Sequence, residues 1–384
     1  MTWRECRLGD VMRLQRGHDL PADKRQDGEV PVVSSSGITG FHNESKARPP
    51  GVVTGRYGTL GEVYFLDRDY WPLNTALYVT DFKGNDPKFT AYFLKHVLKD
   101  YQSDKAAVPG VDRNVLHELK VRAPDTTKQQ RIAGTLTAYD DLIENNRRRI
   151  QLLEDSTRLL FDEWFVRLRF PGRERLPAEG ALPKGWSHVP LGSLTTKIGS
   201  GATPRGGESA YVDAGIALIR SQNVYDFNFV DDGLAYIDVD QAARLDGVAV
   251  EPNDVLLNIT GASVARCCMV PQCHLPARVN QHVMIVRADP KKIDPYYLLC
   301  AINSAERKSQ LLSYAQTGST REALTKDLMA QFEVVLPDPA ALHTFGQVAS
   351  DIFQQREVLA EQVAKLKLAR DLLLPRLMSG ALVV

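Results

Sequence analysis

The stretch VPGVDRNVLHELK sets Asp112 ahead of Glu118 and Lys120, a spacing that imitates the Asp…Glu-x-Lys set of metal-dependent nucleases. There, carboxylates hold Mg²⁺ and a lysine orients the attacking water. A short charged segment at the start of a strand looks the same, and we prefer that plainer reading. A second cluster, CCMVPQCH at Cys267 to His274 with His282 nearby, offers soft ligands but lacks the second paired half of a zinc site. We read it as a strand in which cysteine acts as a small buried hydrophobe, with no metal site. Neither a Gly-x-x-x-x-Gly-Lys-Ser/Thr phosphate loop nor an Asn-Pro-Pro-Tyr-like tetrapeptide of adenine methyltransferases is present. No catalytic residue is assigned.

What remains is hydrogen-bonding chemistry. Arginine presents paired donors that suit guanine, and Asn or Gln presents a donor and an acceptor that suit adenine. In the first half of the chain such residues fall in glycine-bearing loops: Ser35 and Ser36 before GITG, Arg56, Tyr57 and Thr59 in GRYGTLG, Asn74, and Arg113 after VPGVD. In the second half the matching set is Ser221, Gln222 and Asn223 in RSQNV, Thr260 and Ser263 in TGAS, Asn280, and Ser319, Thr320 and Arg321 in TGSTR. Contact with DNA is expected at these positions. For Asn74 and Asn280, bonding to a neighbouring loop's backbone is an equal alternative.

The elements that must hold these loops occur twice. WRECRLGDV answers to WSHVPLGSL, GRYGTLGEVYF to NITGASVARCCMV, and LNTALYV to VNQHVMIV, in the same order. Alternating apolar positions read as strands. Each copy continues with a helix-like segment, a glycine loop, a short helix and a strand that ends in proline. It then closes with a long helical segment, Lys128 to about Val166 or Ala340 to about Ser379.

Both closing helices carry a coiled-coil seam in alternating steps of four and three. In the first it runs through Ile132, Leu136, Tyr139, Ile143, Ile150, Leu153, Leu160 and Trp164, with Asn146 and Thr157 in the remaining slots. In the second it runs through Phe345, Ala349, Ile352, Leu359, Val363, Leu366 and Leu373, interrupted by Arg356 and Arg370. Two copies related by a pseudo-twofold axis should pair these helices antiparallel. A helix of about 37 residues spans roughly 55 Å, so two domains on such a rod suit a ligand with two separated sites, as duplex DNA has.

The expected fold is α+β. Residues 1–127 form a first recognition domain, 128–168 a central helix, 169–185 a linker, 186–338 a second recognition domain and 339–384 a terminal helix. LARDLLLPRLMSG is apolar on nearly every side and needs cover on more than one face. Leu372 and Leu374, and an exposed Trp164 and Phe165 at the end of the first helix, are expected at a subunit interface. Packing within this chain is the alternative. Pro375 should end or kink the helix.

Composition sets the outer limits. The chain has 384 residues, 43% of them hydrophobic, and 47 basic residues match 47 acidic ones. With no net charge to attract nucleic acid at large, any DNA binding must be local. Five cysteines, two of them adjacent, make a poor disulfide framework and predict reduced thiols. No apolar leader or membrane-length run is present, so a cytoplasmic protein without a membrane partner is expected.

TTKQQRIAGTLTAYDDLIENNRRRIQLLEDSTRLLFDEWF, LARDLLLPRLMSGAL, RYGTLGEV, LPKGW and TGSTREAL, taken in this order, resemble the specificity subunits of Type I restriction-modification systems. That resemblance implies two target-recognition domains, each reading half of a bipartite site on double-stranded DNA. It implies two methyltransferase subunits docked on the helices, with restriction subunits joining that core. S-adenosylmethionine, ATP and Mg²⁺ are then expected in the partners, and no cofactor in this chain. A self-contained Mg²⁺-dependent nuclease with duplicated DNA-binding domains is the alternative, and a coiled-coil adaptor a third.

Overall fold

The computed structural model describes residues 3–56, 61–99, 101, 111–171, 181–317 and 323–383. In chain order the first copy contributes β1 (Arg4–Arg7), α1 (Leu8–Val11), β2 (Arg13–Arg16), β3 (Val30–Ser34), β4 (Gly37–His42), β5 (Gly51–Gly55), β6 (Val63–Leu66), β7 (Trp71–Pro72) and β8 (Ala76–Asp81). It continues through α2 (Pro87–Lys99), α3 (Arg113–Glu118), β9 (Lys120–Ala123) and the long α4 (Thr126–Phe161). The second copy contributes β10 (Ser187–Pro190), α5 (Leu191–Leu194), β11 (Thr195–Ser200), β12 (Tyr211–Val212), β13 (Ile216–Ile219), β14 (Ala235–Ile237), α6 (Val239–Arg244) and β15 (Ala249–Val250). After these come β16 (Val255–Asn258), β17 (Cys267–Met269), β18 (Ala277–Val279), β19 (Val283–Ala288), α7 (Pro295–Asn303), α8 (Ala305–Thr317), α9 (Lys326–Gln331), β20 (Glu333–Leu336) and α10 (Pro339–Ser379).

The duplication read from the sequence is a duplication of topology. The sheet ordered β2-β8-β5-β6 in the first copy is β11-β19-β16-β17 in the second, and the pair β1-β9 is β10-β20. The small sheet β4-β3-β7 recurs as β14-β13-β18, with β12 and β15 added at its edges. In both, the central strand runs parallel to the strand that follows the large hairpin, β3 with β7 and β13 with β18. Single hydrogen bonds repeat too. Leu8 N donates to Leu119 O and Leu191 N to Phe332 O, each at 2.9 Å. Gly17 and Gly201 sit where a Cβ would lie 2.2 Å and 2.0 Å from a carbonyl oxygen of the facing strand end, so only glycine fits.

The chain divides into two compact units, residues 1–146 with 361–384, and residues 147–360. Each holds one duplicated domain and parts of both long helices. In the first unit α4 and α10 run antiparallel: Asn146 donates to Gln362 Oε1 at 3.1 Å, and Arg370 Nη1 lies 2.6 Å from Asp140 Oδ1. In the second unit the antiparallel contacts are the Glu154–Arg356 ion pair and the Phe161 ring against Phe345. Every seam position named above is buried or half-buried.

The covers of the two helix ends correct the exposure expected from sequence. Trp164 and Phe165 are buried in the second unit's core with Phe161, Trp186, Tyr297 and Phe345. Leu374 is also buried, with Leu377 and Met378 packed into the first unit's core beside Ile132 and Leu136. Leu372, in contrast, is 58% exposed. Pro375 does not end the helix, which continues to Ser379. The burial of Leu377 and Met378 holds that last turn in place. Among the described residues no helix is long and apolar enough to cross a membrane.

Candidate nucleic-acid interface

Antiparallel pairing gathers the candidate loops at one end of each large sheet. In the second unit β11 and β16 finish, and β19 and β17 start, at the same edge. Ile259 N donates to His282 O at 3.0 Å, and Leu324 N donates to Ile259 O at 2.9 Å, which brings the lead into α9 to that edge. The small sheet is tied to the same place, because Asn280 N donates to Ile219 O at 3.0 Å, where β13 gives way to Ser221–Asn223. The first unit repeats each tie. Arg56 N donates to Thr75 O, Val111 N to Arg56 O, and Leu73 N to Val33 O, just before the Ser35–Ser36 turn.

Ser35, Ser36, Arg56 and Asn74 are therefore collected in the first unit, and Ser221, Gln222, Asn223, Thr260, Ser263 and Asn280 in the second. Arg113 is exposed in the first turn of α3, two residues after Val111. Tyr57, Thr59, Ser319, Thr320 and Arg321 lie outside the described residues.

Collection is not availability, and several of these side chains are occupied. Asn223 is fully buried; it accepts from Arg220 N at 3.0 Å and donates to Val230 O at 2.8 Å. It shapes the 220–234 loop and cannot reach a base, which corrects its reading as a DNA contact. Asn74 donates to Asp19 Oδ1 at 2.6 Å, and Asn280 accepts from His282 N at 3.1 Å. Asn74 thus bonds a side chain rather than a neighbouring loop's backbone, and Asn280 bonds the backbone of its own turn. Ser36 bonds Ser34, and Gln222, itself exposed, donates to Gly233 O at 3.1 Å.

A polar chain that the sequence reading passed over crosses the second unit's loops. Thr203 Oγ1 lies 2.5 Å from Gln281 Oε1, Gln281 Nε2 lies 3.0 Å from His282 Nε2, and His282 Nδ1 lies 2.7 Å from Thr260 Oγ1. Its signal was the triplet Asn280-Gln281-His282, which interrupts two apolar runs.

The other candidate chemistry dissolves into structure. Asp112 caps α3 by accepting from Asn114 N at 2.8 Å, and Glu118 pairs with Arg7 at 2.6 Å. Cys267 and Cys268 lie in β17, fully buried, and burial pushes the Cys268 thiol up to about 12. That is the strand of small hydrophobes read from the sequence.

Residues 1–155 match the family model described as the Type I restriction modification DNA specificity domain. Over that stretch the chain resembles the Type I specificity subunits. It is 24% identical to the Type I restriction enzyme MjaIX specificity subunit of Methanocaldococcus jannaschii, over 77% of this chain and 67% of that one. To the HindI specificity subunit of Haemophilus influenzae it is 20% identical, over 73% of this chain and 72% of that one. The solved S subunit of a Type I restriction-modification system from M. genitalium shares the fold, with a TM-score of 0.64 and 15% identity over 98% of this chain and 96% of that one. The second domain of this chain lies beyond the matched family model, yet it repeats the sheet order of the first.

Proposed function

We propose that this chain is a Type I specificity subunit that reads a two-part sequence on double-stranded DNA, one half-site per recognition domain, and carries no catalysis of its own. The observation that supports this reading is one topology used twice with different side chains at the same loop positions. A shared scaffold fixes how each domain meets a groove, and different loop residues make the two halves read different bases.

Partner docking rests on a second repeat. Leu159 on α4 and Leu372 on α10 stand 213 positions apart, as do the equivalent helix starts Asp125 and Asp338, and they are 62% and 58% exposed. Large apolar groups at equivalent exposed places suit two copies of one partner. We assign them to two methyltransferase subunits that bring S-adenosylmethionine, with restriction subunits bringing ATP and Mg²⁺ through that core, in a cytoplasmic complex.

Leu372→Glu and Leu159→Glu should each leave folding unchanged and remove one methyltransferase subunit from the co-expressed complex, read by native mass. Loss of neither subunit would place the interface elsewhere. Purified chain with Mg²⁺ and plasmid should not cut, and cutting would revive the nuclease alternative.

A further inference from the structure

We propose that Gln281 is a base-reading residue of the second half-site, held in place for adenine by Thr203 and His282. The inference rests on the DNA-reading function proposed above and adds the residue and the base. Gln281 is exposed at the tip of the turn between β18 and β19, among the loops gathered at the sheet end.

An amide carries two lone pairs on its oxygen and two hydrogens on its nitrogen. Thr203 occupies one site on the oxygen, at 2.5 Å, and His282 one on the nitrogen, at 3.0 Å. His282 is fixed in turn by Thr260 at 2.7 Å, and its backbone N–H by Asn280. One lone pair and one N–H remain free. Exchanging the amide's ends, with Thr203 accepting and His282 donating, leaves the same free pair.

That pair is what adenine asks for, since its N6 amino group donates and its N7 accepts in the major groove. A free glutamine loses rotamer entropy when it binds; this one is held from both sides before DNA arrives, so the cost is already met in folding. The equivalent turn in the first unit, also three residues long, places Asn74 where Gln281 stands, with its shorter amide bonded through the nitrogen to Asp19 at 2.6 Å. The two domains therefore differ at this point of the loop cluster.

The test is the methylation motif of cells that carry the whole system with wild-type or variant chain, joined to binding of the purified complex to duplexes altered at single positions. Gln281→Ala should relax an A·T preference at one position of one half-site, costing about tenfold or more in discrimination there, and leave the other half-site unchanged. Gln281→Glu keeps the acceptor and loses the donor, so the preferred base at that position should move from adenine to cytosine. Thr203→Val should weaken discrimination at the same position without changing the preferred base. Because Gln281 is exposed, thermal unfolding should stay at the wild-type temperature. An unchanged motif with Gln281→Ala overturns the proposal. A wild-type chain that directs no two-part motif overturns the reading beneath it, and the wild-type arm tells the two failures apart.

Discussion

The two long helices end at equivalent places with different chemistry. Phe161, Trp164 and Phe165 near the end of α4 stand 213 positions before Leu374, Leu377 and Met378 near the end of α10, and all six are buried. One end is an aromatic plug and the other an aliphatic one. Each plug enters the unit that its own helix does not start from: α4 begins in the first unit and ends in the core of the second, and α10 does the reverse. Each recognition domain is thus sealed by a helix that follows the other domain in sequence.

The most severe way to break this comparison is to empty one plug. Trp164→Ala should cost about 3–5 kcal/mol and Leu377→Ala about 2–5 kcal/mol, the transfer term plus the cavity left behind. Hydrogen exchange should then lose protection in β16 and β19 of the second unit for Trp164→Ala, and in β5 and β8 of the first for Leu377→Ala. Loss of protection in the domain that precedes the mutated helix would contradict the exchange of ends.

Less of this was legible in the sequence than the regularity of the repeat suggests. Seam spacing, the matching order of segments in the two copies and the helix limits, near Ser379 and near Val166 where a π turn follows α4, could be read because each is local or periodic. Burial of Trp164 could not, because an apolar residue at a helix end looks the same whether a partner or the chain's own second domain covers it. The loop residues divide likewise. Sequence marks Asn223 and Gln222 alike as polar loop amides, but Asn223 turns inward to satisfy Val230 and Asp232 carbonyls while Gln222 stays exposed. Side-chain direction in a loop is set by backbone groups that need partners, and those are known only once the chain is folded.

A second test exploits unequal ion pairs across the helices. Arg356 and Glu154 in the second unit are 11% and 6% exposed, whereas Arg370 and Asp140 in the first are 23% and 37% exposed. Arg356 also donates to Phe227 O at 2.9 Å, in the loop that follows Ser221–Asn223. Arg356→Met leaves Glu154 buried without its cation, at a cost of about 3 kcal/mol or more. Arg370→Met leaves Asp140 partly in water, at about 1 kcal/mol or less. Urea midpoints of the two variants should separate in that order, and equal shifts would mean that burial does not set the difference.

The smallest expected effect is a dependence on pH confined to one unit. His117 in α3 accepts the Leu14 N–H on Nε2 at 2.9 Å, and the equivalent place in the second unit is Ala330, which packs on Gly192 as His117 packs on Gly9. Burial holds the His117 imidazole below its usual range, with Arg113 and Arg13 adding to the shift. The unfolded chain therefore takes up this proton first as pH falls. Stability from His117 is complete above about pH 6.5 and declines below it, until the folded state also protonates. Protonation turns Nε2 into a donor and breaks its bond with Leu14. Hydrogen exchange at pH 7.5 and 5.5 should show β2 and β8 losing more protection than β11 and β19. His117→Ala, which copies the second unit, should remove that excess sensitivity, at the cost of a lower protection that no longer varies with pH between the two units. An excess that survives the substitution would assign the pH response to another group in the first unit.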